Sequence, residues 1–223
     1  MSEINREEIE GYWEATVAAI EAIGGEIQAF RVERPATQDA VDAAEQKLGV
    51  ALPVSFKRTL LNFSRSAQLT WKLPEALKLP TEFRNLFAGD IRWSLEKLVE
   101  IEERRKSWVR ECFPNPHDPY DQHWHNKLAF HDVGNGDQLA IDLTEENLGA
   151  IVYLSHDDGE GHGFNLADSF ESLLQRWSLI GGVGSEDWQW LPFYDQRAAM
   201  INPHGQAAKR FRKVIGLRLE EFS

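Results

Sequence analysis

The sequence predicts an α+β fold, with helices packed around a mainly antiparallel, meander-like β-sheet. Three observations carry this. Helix-spaced apolar stripes fill the first third, three short strand-like segments cluster around residues 127–155, and a capped helix follows them. The order lacks the regular strand–helix alternation of a parallel sheet. With 42% hydrophobic residues among 223, the chain has apolar surface enough to bury a core, which excludes intrinsic disorder.

Over residues 3–22, Ile9, Trp13, Val17 and Ile20 recur at steps of four, four and three, which sets them on one helical face, and Gly24-Gly25 stops the helix. Thr37 is an N-cap for a second helix with Val41, Ala44 and Leu48 on one side and Gly49 at its end. Pro53 suits the first turn of a third helix carrying Phe56, Leu60, Leu61 and Phe63. Residues 68–73 alternate, so Leu69, Trp71 and Leu73 share a strand face. Residues 91–113 begin as a strand and turn helical near Ser94, after which Pro114, Pro116 and Pro119 make an irregular loop.

Strands are expected at 127–133, 138–143 and 150–155, then a helix with Phe170, Leu173, Leu174 and Trp177, capped by Asp168 or Ser169. Read as a two-residue turn, Asn135-Gly136 makes paired residue numbers sum to 271. Phe130 then faces Ile141 and Leu128 faces Leu143 on one side, while Ala129 with Asp142 and His131 with Ala140 occupy the other. The expected organisation is an N-terminal helical extension over 1–36, an α+β domain over 37–180 and a C-terminal extension over 181–223 bearing a basic helix.

The single cysteine, Cys112, rules out an intramolecular disulfide and suits a reducing compartment. The N-terminus is polar and acidic, and no apolar run approaches the ~18 residues of a membrane span, so a cytoplasmic location is expected. The formal charge of -12 repels phosphate backbones, which argues against nucleic acid as the main ligand and allows a basic protein partner. Residues 197–223 reverse the sign, with six Lys/Arg against two Glu, as on a solvated helix face.

Several motifs in order resemble the SUKH superfamily, which includes a fungal regulator of cell-wall assembly and many bacterial immunity proteins for polymorphic toxins. They are Ala44-Glu45-Gln46-Lys47-Leu48-Gly49, Leu52-Pro53 with Phe56-Lys57 and Leu60-Leu61, Gly134-Asn135-Gly136-Asp137, and Asp168-Ser169-Phe170-Glu171-Ser172-Leu173-Leu174. The resemblance covers residues 37–180 and implies a SUKH-like α+β domain without catalytic machinery that acts by binding a protein. Two departures stand out: Asn62-Phe63-Ser64-Arg65-Ser66 lacks the family's glycines, and the Trp/Pro-rich loop over 113–125 looks inserted.

Residues that could carry chemistry fall short of known patterns. His117, His123, His125, His131, His156 and His162 crowd one region, but no His-Glu-x-x-His spacing occurs, so no metal is expected. The acidic loops lack the ligating Glu of an EF-hand, and turn formation explains their Asn, Asp and Gly. Ser185 has no nucleophile elbow, Gly181-Gly182-Val183-Gly184 lacks the Lys-Ser/Thr of a phosphate loop, and Cys112 beside Trp108, Val109 and Phe113 reads as buried.

The expected function is therefore that of a non-enzymatic immunity-type protein, without cofactor, that neutralises a basic toxin domain. Its expected docking face comprises Asp132, Asp137, Asp157, Asp158 and Glu160, with Trp124, Trp188 and Trp190 as aromatic anchors. The alternatives are a regulatory scaffold in cell-wall or stress signalling and a metal-dependent hydrolase using the histidines.

Overall fold

The computed structural model describes residues 5–219. The expected helix start at Glu3 and the last four residues of the basic tail lie outside the described residues. Helix α1 (Arg6–Ala22) starts where the Asn5 side chain accepts the Glu7 and Glu8 amides. Strand β1 (Glu26–Val32), helices α2 (Gln38–Leu48) and α3 (Val54–Asn62), and strands β2 (Ser66–Lys72) and β3 (Ala88–Ser94) follow. Thr37 caps α2, and Gly49 ends it at a positive φ of 73°.

Helix α4 (Leu98–Glu111) leads to strands β4 (Lys127–Asp132), β5 (Gln138–Asp142), β6 (Ile151–Leu154) and β7 (Asn165–Ala167). Helices α5 (Phe170–Leu179) and α6 (Asp187–Trp190), the short pair β8 (Tyr194–Asp195) and β9 (Met200–Ile201), and α7 (Gln206–Ile215) complete the chain. Ser169, rather than Asp168, caps α5 by accepting the Ser172 amide.

The α+β class is as expected, but the strands divide. An antiparallel sheet β1-β2-β3 stands beside an antiparallel meander β4-β5-β6-β7. Strand β1 escaped the sequence reading because a bulge between Ile27 and Ala29 breaks its alternation, so that Phe30, not Ala29, pairs with Leu69. At Gly89 of β3 a side chain would run into the Trp71 indole, whose Nε1 donates to the Gly181 carbonyl at 2.9 Å.

The predicted hairpin forms with a different register. Val133 and Asp137 close a three-residue loop, Gly134-Asn135-Gly136, with Gly136 at φ 104°. A bulge between Ala129 and His131 then moves the pairing again, so Leu128 faces Ile141 and Ala129 faces Ala140. Two one-residue shifts restore the parity of side chains. Leu128, Phe130 and Ile141 accordingly enter the main core as the alternation required.

Both faces of this meander are covered. The main core runs from Trp13 of α1 through Phe56, Trp71 and Trp93 to Phe211 of α7. On the reverse face Ala129, Ala140, Val152 and Leu154 pack with Ile101 of α4, Phe113 and Trp124. The Trp/Pro-rich loop thus closes a second core, with Phe113 and Trp124 stacked at 4.7 Å. Cys112, expected to be buried there, is exposed at the end of α4. The basic helix α7 buries Ala208, Phe211 and Ile215 and leaves Lys209, Arg210 and Lys213 in solvent.

Candidate functional site

The loop from β6 to β7 and the first turn of α6 form one surface. Ser155 organises the loop, its hydroxyl donating to Asp157 at 3.0 Å and accepting the Gly159 amide at 2.9 Å. The Gly161 amide donates to Asp187 Oδ2 at 3.0 Å, which places Glu160 beside the residue that precedes Trp188. Tyr153 lies beneath, donating to Asp137 and accepting the Asp187 amide at 3.2 Å. Burial, reinforced by the hydrogen bond to Asp137, pushes the Tyr153 hydroxyl well above the ordinary phenol range, so it remains a donor.

On this platform Asp157, Asp158 and Glu160 are exposed, and Trp188 keeps 39% of its surface in solvent. The Gln189 side chain accepts the Phe87 and Ala88 amides, at 3.4 and 3.2 Å, and so brings Phe87 to the same helix. Phe87 is 50% exposed. Sequence reasoning missed it because it stands in an unpatterned loop.

The other residues expected on this face lie elsewhere. Trp124 and Trp190 are wholly buried and cannot act as exposed anchors. Trp124 closes the second core, and Trp190 packs on Tyr153 with ring centres 5.3 Å apart. Asp137 is interior too: its oxygens accept from Asn135 Nδ2, Tyr153 Oη, the His156 amide and His156 Nδ1. Asp132 is half-buried and bridged to Arg104, whose Nε donates at 2.9 Å.

Asp137, His156 and Asp157 bring potential ligand atoms within 4.8 Å of one another, but the bonds just named already explain the arrangement of Asp137. His123 and His162 meet edge-on with centroids 5.2 Å apart, and the other histidines have separate partners. His125 meets the Phe113 carbonyl at 2.9 Å, and His162 stacks on Tyr120 with centroids 3.7 Å apart. Burial, with His162 adding to it, lowers the proton affinity of His123, and burial does the same for His162.

Both imidazoles are then neutral in the fold at pH values where the unfolded chain binds protons. Stability is full above the ordinary value of 6.5 and falls as the pH drops through it toward the depressed folded values. The urea midpoint is expected to fall between neutral and mildly acidic pH, and His123→Phe to flatten that fall. An unchanged slope in the variant would count against this assignment.

A serine, a histidine and an aspartate do meet, across three distant stretches of sequence. His131 Nε2 lies 3.2 Å from Ser185 Oγ and 3.1 Å from Asp90 Oδ2, and Ser185 donates to that same oxygen at 2.8 Å. A hydrolytic triad sets serine and aspartate on opposite ring nitrogens. Here Nδ1 instead faces the Arg92 carbonyl at 3.1 Å, and His131 and Ser185 are almost fully buried. Burial opposes ionisation of Asp90, yet His131, Arg92 and Ser185 together hold its carboxyl below the usual range. The cluster ties β3 to β4.

Helices α2 to α4, most of α5 and the strands between them coincide with a known family: the model of the SMI1/KNR4 family (SUKH-1) matches residues 35–176. The chain belongs to this family. No curated protein matches the chain as a relative. Membership places this SMI1/KNR4 protein among generally non-catalytic domains of the immunity and cell-wall-regulator type, for which protein–protein contact is the expected mode of action. Among the described residues no helix is long and apolar enough to cross a membrane.

Proposed function

We propose that this SMI1/KNR4 protein is an immunity-type binder that neutralises a toxin in the cytoplasm by docking its acidic rim on a basic toxin domain. The observation that carries this reading is the pairing of exposed aromatics with exposed acids. Trp188 stands on α6 with Phe87 held beside that helix, and Asp157, Asp158 and Glu160 project from the loop packed against it. Desolvated aromatics supply most of the residence time in such interfaces, while unlike charge accelerates encounter. The net charge of -12 acts in the same direction.

The test is growth rescue on co-expression with a secreted toxin encoded beside this chain, with affinities measured on the purified pair. Trp188→Ala is expected to weaken binding by about 2 kcal/mol, ~30-fold in Kd, and to abolish rescue with no loss of fold. Reversing Asp157, Asp158 and Glu160 to Lys is expected chiefly to slow association and to reduce its salt dependence. Full rescue by both variants would sink the proposal.

A further inference from the structure

A groove of about 360 Å³ lies on the outer face of the β1-β2-β3 sheet, walled by the start of α4 and the end of β4. Strand pairing lines up Arg31 of β1, Gln68 of β2 and Arg92 of β3 across its floor. Lys97 and Arg104 stand on the α4 side, and Ser66 and Ser94 add neutral hydroxyls.

Every acid that lines the groove is engaged within the protein. Arg104 binds both Asp132 and Glu100, the latter at 2.6 Å. Glu33 faces Arg65 at 3.5 Å, and Arg65 also meets Glu96 at 3.4 Å. Arg92 is shared between Asp90, at 3.2 Å, and the Asp132 carbonyl, at 2.9 Å. Arg31 and Lys97, both exposed, have no ionic partner among the described residues.

The groove's own lining thus carries four cations against three acids and leaves Arg31 and Lys97 without an ionic partner, on a protein whose overall charge is -12. That combination discriminates. The long-range field repels an extended polyanion such as nucleic acid, whereas a short run of carboxylates feels chiefly the local cations.

We propose that this groove binds an acidic peptide segment, its carboxylates meeting Arg31 and Lys97 and its polar backbone meeting Gln68 and the serines. The idea rests on reading the chain as a protein binder, but it uses elements separate from the acidic rim. A partner would then be held at two surfaces of opposite sign, which rejects proteins that match only one.

The probe is a fluorescently labelled Glu-rich octapeptide titrated with the full-length protein at low salt and followed by anisotropy, with a Gln-rich peptide and a single-stranded oligonucleotide as controls. The Glu-rich peptide is expected to bind most tightly. Arg31→Glu combined with Lys97→Glu should weaken it about tenfold, while leaving thermal unfolding unchanged because both side chains are exposed. Reversing Asp157, Asp158 and Glu160 should not weaken it, which separates failure of the groove from failure of the rim. Equal binding of the Gln-rich peptide, preference for the oligonucleotide, or indifference to the Arg31/Lys97 double variant would each overturn the proposal.

Discussion

Glu102→Ala is expected to destabilise the protein by about 3–5 kcal/mol, the usual consequence of leaving a buried charge without its partner. Glu102 is 3% exposed and Arg105 7%, one turn apart on α4. Arg105 donates to both carboxylate oxygens, at 2.9 and 2.7 Å, and to the Trp124 carbonyl, while Glu102 also accepts the Ala129 amide at 2.9 Å. The pair thus joins α4, β4 and the loop that closes the second core. Removing the acid strands the Arg105 guanidinium and leaves the Ala129 amide unsatisfied. Replacing both residues, as Glu102→Met with Arg105→Leu, is expected to recover the part of the loss that comes from the stranded charge, while the Ala129 amide stays unsatisfied. Chemical denaturation checks it: a single variant within about 1 kcal/mol of the parent would show that water reaches the pair.

Trp13→Ala is expected to cost about 3–5 kcal/mol, the range for truncating a large core side chain, out of a total stability on the order of 5–15 kcal/mol. Trp13 is fully buried, meets Phe63 and Trp93 edge-on at 6.1 and 6.0 Å, and donates to Ser178 Oγ at 2.7 Å. It lies outside the family-matched residues 35–176, as does β1, which pairs with β2 along its length. A chain trimmed to residues 35–176 is therefore expected to show no cooperative thermal unfolding. It would cut α5 short before the buried Trp177, expose the side of α5 that α1 covers and the edge of β2, and lose Phe211 of α7. A sharp transition in the trimmed chain would show that the matched segment folds alone.

Local physics made much of this fold legible. The cap at Thr37, the cap at Ser169 and the stop at Gly49 act through hydrogen bonds and backbone conformations that span only a few residues. The inward face of Leu128, Phe130 and Ile141 followed from period two alone. Register did not follow, because the bulge beside Phe130 and the three-residue loop at Asn135 are settled by which pairs fit against the core. The candidate site divided in the same way. Exposure of Asp157, Asp158 and Glu160 agrees with their turn-rich context.

By itself, then, the sequence determined the class of fold, most of its helices, the inward strand faces and the acidic character of the protein. Tertiary structure alone decided that Trp124 and Trp190 are interior while Trp188 is exposed, that Asp137 is spent on Tyr153 and His156, and that Arg31 and Lys97 share one groove. The reason is range. Caps and periodicity act between near neighbours, whereas burial and charge pairing depend on segments that meet only after the chain has closed.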